Sequence, residues 1–178
     1  MKKEMEDMLA HILSEDFVQQ YLSRWSGYVW PSSFVRNPHA LSGTLRDRFL
    51  ARLHENRLIL EGTLLEPRPA RYKDAWGDIA PLQSVFHGTP EANVDCILRQ
   101  GLLPERRRSG TWDWFGGSPA AAKPFKKLLV FLVLHAGGAA ATAALSSQWK
   151  ENLGHVTLKC ASYQLPVGTV ELAKFAGF

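Results

Sequence analysis

The chain has 178 residues, 46% hydrophobic, 11% aromatic and 21% charged, which fits one globular domain, or one with an extension, and excludes disordered and collagen-like chains. Two cysteines exclude a disulfide framework and leave no four-ligand zinc spacing, so an intracellular protein, cytoplasmic or nuclear, is expected. The formal net charge of +4 is uneven: residues 1–80 hold 11 basic and 11 acidic side chains, residues 81–178 hold 10 and 6, an excess suited to an anionic ligand but too mild to mark a nucleic-acid binder.

The first segment mixes acids and bases and lacks a long apolar run, so no signal peptide is read in it. Met5, Met8, Leu9, Ile12 and Leu13 recur at helical spacing, and Phe17, Tyr21 and Leu22 continue the stripe past Ser14. A loop with Gly27, Pro31 and Pro38 follows Trp25, then a second helical pattern through Leu45, Phe49 and Leu53. Leu58 to Leu65 reads as a strand, and 66–83 as a long connection.

The second half is more sharply patterned. Ser84-Val85-Phe86 is a short apolar strand running into His87-Gly88-Thr89. Thr89 suits an N-cap, with Pro90 at the first helical position and Glu91 in the first turn. Val94, Ile97 and Leu98 line one helix face, and Gly101 stands where a C-terminal cap belongs. Leu128 to Leu145 carries no formal charge, but its second half is Ala and Gly around His135. A strand buried on both faces, then an Ala-rich helix or loop, is expected there rather than a membrane span. Val156 to Cys160 and Thr169 to Ala173 alternate as strands. Elements in this irregular order, without a βαβ rhythm, predict an α+β fold.

A strand ending on His-Gly exposes an imidazole at the sheet edge, while Gly88 lets a ligand approach the backbone. No two of the six histidines lie three or four residues apart, so no metal site is expected. Downstream come Ile97-Leu98-Arg99-Gln100-Gly101-Leu102, then Trp114-Phe115-Gly116, then Phe125, and late in the chain Tyr163-Gln164-Leu165-Pro166. This ordered set resembles the catalytic domain of the poly(ADP-ribose) polymerase-like ADP-ribosyltransferases. That family reads His-Gly-(Thr/Ser), Ile-x-x-x-Gly-(Leu/Phe), Gly-x-Tyr-Phe-(Ala/Ser/Gly), a second Tyr and a late Gln-x-x-Pro. The step from Trp114 to Phe125 equals the family's step between its two aromatics. Asn37-Pro38, Leu41 and Phe49 are more loosely similar to its entry segment.

The resemblance implies an ADP-ribosyltransferase-like split β-sheet core over 35–178, best matched over 84–178, behind an N-terminal helical extension, 1–34. It implies NAD as substrate and a monomer transferring single ADP-ribose units to a protein acceptor, or to nucleic acid, away from membranes. His87 would hold the ribose, the backbone of Gly88 the nicotinamide carboxamide, and Trp114 and Phe125 would wall the ring. Arg106, Arg107 and Arg108 would meet the pyrophosphate. The candidate NAD contacts are therefore His87, Gly88, Thr89, Trp114, Phe115 and Phe125.

Three positions depart from the pattern. Trp114 replaces the first Tyr, Ala122 stands where many members carry a Ser, and the catalytic Glu position falls on Val156, with His155 beside it. His87, Trp114 and His155 are the candidate catalytic residues. Glu151 and Glu171 are the nearest acids. A preorganised charge stabiliser is typically worth about 2.7–4 kcal/mol, so its loss points to mono-ADP-ribosyl transfer or to an inactive relative that binds NAD, ADP-ribose or a partner. An RNA 2′-phosphotransferase-like member and a nucleic-acid-binding module without chemistry are the remaining readings.

Overall fold

The computed structural model describes residues 2–56, 82–107, 112–122, 125–134, 142–145 and 155–173. The helices are α1 (Lys2–Ile12), α2 (Glu15–Ser23), α3 (Thr44–Glu55), α4 (Glu91–Gln100) and the single turn α5 (Pro119–Ala122). The strands are β1 (Val29–Arg36), β2 (Leu82–Gly88), β3 (Asp113–Gly116), β4 (Lys127–Leu134), β5 (Thr142–Leu145), β6 (His155–Leu158) and β7 (Gln164–Leu172). They form one sheet in the order β1-β7-β4-β2-β3-β6-β5. Every neighbouring pair is antiparallel. The expected α+β architecture is the one found.

β4 holds the sheet together, as its unbroken apolar run predicts. It pairs with β2 from Leu82↔Leu134 to Gly88↔Leu128 and with β7 on its other side. Successive side chains point to opposite faces. Leu128, Val130, Leu132 and Leu134 accordingly join Leu9, Leu22, Phe49 and Leu53 from α1, α2 and α3 in one core. Leu129, Phe131 and Val133 join Val94 and Ile97 of α4 in a second. Each such side chain contributes about 1.5–3 kcal/mol by leaving water.

The sheet nearly parts at β2–β3, where the register pairs only Phe86 with Gly116. On one side lie the long strands β1, β7, β4 and β2, and on the other the four-residue strands β3, β6 and β5. The sheet is continuous, and in place of the expected split it has this one-pair join.

Several expectations need correction. The continuous stripe of the N-terminus is two helices, because the Ser14 hydroxyl accepts the Phe17 N–H at 3.3 Å and starts α2 afresh. The loop expected after Trp25 contains strand β1, paired with β7 from Val29↔Leu172 to Arg36↔Gly168. Residues 29–34 are thus part of the sheet, across the expected 34/35 boundary. Pro31 disguised the strand, yet an edge strand tolerates it. The register shifts between Trp30 and Val35, and Ser33 Oγ accepts the Glu171 N–H at 2.8 Å instead. Gly168 makes the close approach possible, since a Cβ there would run into the Val35 carbonyl and lie 2.6 Å from the Phe34 ring. Within the Ala-rich stretch, 142–145 is strand β5, paired with β6.

β2 begins at Leu82, two residues earlier than expected, and β7 starts at Gln164 rather than Thr169. The strand expected at 58–65 lies outside the described residues, as does the connection up to Pro81. Among the described residues, no helix is long and apolar enough to cross a membrane.

Candidate functional site

The last residues of β2, the start of α4 and the first residues of β3 enclose a cleft of about 380 Å³. That lies within the range of small-molecule sites. His87, Gly88, Thr89, Trp114 and Phe125 line it, as do Asn93, Cys96 and Ile97 of α4 and Leu102, Leu103, Arg106, Arg107, Trp112 and Asp113 beyond it.

His87 is positioned by register. Phe86↔Gly116 pairing sets β3 alongside, and His87 Nδ1 lies 2.8 Å from the Trp114 carbonyl oxygen. Burial lowers its pKa, and the Trp114 carbonyl and the Asp113 charge only partly offset that. The ring is therefore neutral at pH 7. A carbonyl can only accept, so Nδ1 carries the proton and Nε2 is left as the acceptor. The ring packs on Phe115 and Phe131, with centroids 5.6 and 6.1 Å away.

Gly88 has no room for a side chain. A Cβ there would overlap the Ala122 carbonyl and come within 2.6 Å of the Phe125 ring. α5 and Phe125 thus close directly over this glycine, and Ala122 brings no hydroxyl to the contact. Thr89 is buried, with Asn93 Nδ2 3.4 Å from its hydroxyl. The helix starts one residue later than its expected cap: Pro90 holds the capping position without a side-chain bond. Gly101 does end α4, at φ +76°, with its N–H on the Ile97 carbonyl at 2.7 Å.

Of the remaining candidates, Trp114 is 48% exposed along the cleft. Phe115 is 1% exposed and packs behind His87, so it supports the site from within. The backbone of His155 lies in β6 opposite Gly116, and that of Val156 opposite Phe115. Their side chains, with Glu151 and Arg108, lie outside the described residues. Glu171 is on β7 opposite Lys127 and is not among the cleft residues.

Sequence reasoning missed the polar clamp in the cleft wall. Arg107 grips Asp113 with two bonds, Nε to Oδ1 at 2.9 Å and Nη2 to Oδ2 at 2.8 Å. Its Nη2 also donates to the Lys159 carbonyl at 2.6 Å, and Gln164 Nε2 donates to Asp113 Oδ2 at 2.8 Å. Both charged side chains are nearly buried, and the Asp113 carboxylate raises the pKa of Arg107. Arg107 is committed to this pair. Arg106 remains on the cleft, with its Nη1 3.0 Å from Cys96 Sγ. The signal was an acid between two tryptophans in a strand, since a buried charge requires a partner.

Asn37 is the second polar anchor. Its Nδ2 donates to the Leu98 and Pro166 carbonyls, both at 2.8 Å, tying α4 to β7.

No protein-family model matches this chain, and no curated protein does. Among solved structures, the chain is similar to the pseudo-PARP domain of TASOR, at 12% identity and a TM-score of 0.53. The match covers 89% of this chain and 94% of that one. At that identity the likeness concerns the fold alone: the chain has the fold of a poly(ADP-ribose) polymerase-like domain.

Proposed function

We propose that this is a pseudo-ADP-ribosyltransferase: a domain that holds an ADP-ribose-type nucleotide in the His87 cleft without cleaving it. The observation that carries this reading is the state of Asp113. It supplies the cleft's carboxylate among the described residues, and Arg107 and Gln164 occupy both of its oxygens. Breaking the nicotinamide–ribose bond of NAD develops positive charge on the ribose, and an accelerating site must meet that charge with a preorganised negative one. A carboxylate already neutralised by a guanidinium does not.

The recognition parts fit a nucleotide better than the reactive parts fit catalysis. Neutral His87 presents Nε2 as an acceptor for a ribose hydroxyl, Trp114 and Phe125 offer ring faces, and Arg106 offers a cation to a phosphate. Those same groups are what single-unit ADP-ribosyl transfer from NAD would use. That reading lacks the charge stabiliser among the described residues.

Calorimetric titration with ADP-ribose and with NAD, alongside a nicotinamide-release assay, separates the two. Saturable binding that weakens in His87→Ala, with nicotinamide release no faster than in buffer, is the expected result. Release that disappears in His87→Ala, with a mass increase of one ADP-ribose on an acceptor, would replace it by the transferase reading.

A further inference from the structure

The tryptophan preceding β3 has no counterpart in the pattern that the chain resembles. Where Trp114-Phe115-Gly116 matches Tyr-Phe-Gly, the position two before the Tyr is a glycine, and here it is Trp112. Trp112 and Trp114 both line the cleft. Between them, Asp113 gives its carboxylate to Arg107 and Gln164. Side chains two residues apart on an extended backbone share a side and stand about 7 Å apart. Trp114 is 48% exposed.

Charge complements the rings. Arg107 is cancelled by Asp113, whereas Arg106 meets no carboxylate among the described residues. The cleft is left with a cation beside an aromatic platform, in the half of the chain that carries the whole basic excess. Sequence-tolerant capture of unpaired bases uses such a set: ring faces for successive bases and a cation on the phosphate between them.

We infer that the cleft accommodates a single-stranded nucleic acid, with bases stacking on Trp112 and Trp114 and Arg106 on the linking phosphate. The inference rests on the reading of this cleft as a non-catalytic nucleotide site and names the polymer as its ligand.

The test is fluorescence anisotropy of the whole chain with labelled octauridylate, at low and at higher salt, with ADP-ribose titrated in parallel. Base–aromatic stacking predicts that Trp112→Ala and Trp114→Ala each weaken octauridylate binding about 5- to 150-fold. Trp112→Phe keeps a ring and should recover most of the affinity, which distinguishes lost stacking from misfolding. Trp30→Ala, equally exposed on the opposite edge strand β1, should change nothing. Affinity that is indifferent to both cleft substitutions overturns the inference, as does equal affinity for a duplex of the same length. ADP-ribose binding without octauridylate binding overturns it and leaves the nucleotide reading standing. Failure of both ligands removes the two together.

Discussion

The two sides of the sheet are held to different extents. From β1 to β2, long ladders carry the sheet: β2 pairs along its whole length with β4, whose alternate side chains feed both apolar cores. β3, β6 and β5 have four residues each and meet the rest through a single register pair at Phe86↔Gly116. What ties β3 back is a handful of side chains: Arg107 and Gln164 on Asp113, His87 on the Trp114 carbonyl, and buried Phe115 against Phe131. The cleft lies along that join. A ligand there touches the weakly laddered side, so its geometry depends on a few side-chain contacts that substitution can remove singly.

Breaking either side should produce the largest effects. Phe131→Ala empties a fully buried site in the second core and should cost about 3–5 kcal/mol, read from the denaturant midpoint. Arg107→Ala leaves the Asp113 carboxylate nearly buried without its cation and should cost a similar amount, about 3–5 kcal/mol. The two differ in repair. Replacing Arg107 and Asp113 together by Met and Leu should recover most of the loss, because the pair's desolvation penalty goes with it. Amide exchange would show whether the clamp acts locally. In Arg107→Ala the amides of β3 should exchange faster while those of β4 keep their protection. Uniform acceleration of both would refute the division of labour.

Gly88→Ala probes the join itself. The new methyl meets the Ala122 carbonyl and the Phe125 ring, and a clash of that kind costs about 1–3 kcal/mol. Because α5 and Phe125 must move for it, nucleotide binding should fall more than stability does. Unchanged binding in calorimetry would detach Phe125 from the site.

This contrast also explains what could be read in advance. β4 was legible because a strand buried on both faces has no choice but an apolar run, and α4 because Gly101 marks its end. His87, Gly88, Trp114 and Phe125 were legible through their order and spacing. β1 was not, since Pro31 and an irregular register erase the alternation that marks a strand. The clamp was hidden for a different reason: Arg107, Asp113 and Gln164 are ordinary residues whose meaning lies in a contact that no spacing rule encodes. Phe115 was misplaced because its side chain fills the second core against Phe131 and the His87 ring instead of the cleft.

His87 gives the comparison a pH dependence. Its pKa is depressed in the fold, so the unfolded chain takes up a proton first as pH falls. Its contribution is present above the unfolded value of 6.5 and declines as pH falls from there toward the lowered folded value. His87→Gln should remove that slope, as followed by denaturant midpoints across this window. An undiminished slope would assign the pH dependence to other groups.

The smallest effect belongs to the long-strand side, far from the cleft. Ser14 ends one helical run and begins the next by accepting the Phe17 N–H at 3.3 Å. Without the hydroxyl that N–H loses its partner, and a cap of this kind is worth about 1 kcal/mol. Ser14→Ala should therefore lower the denaturant midpoint modestly and leave ligand affinity untouched, because α2 packs on the core opposite α4. The alternative outcome is informative. If Ser14→Ala weakens binding at the cleft as well, the two sides of the sheet are coupled through β4 and Phe86, and the single pair at the join transmits more than its length suggests.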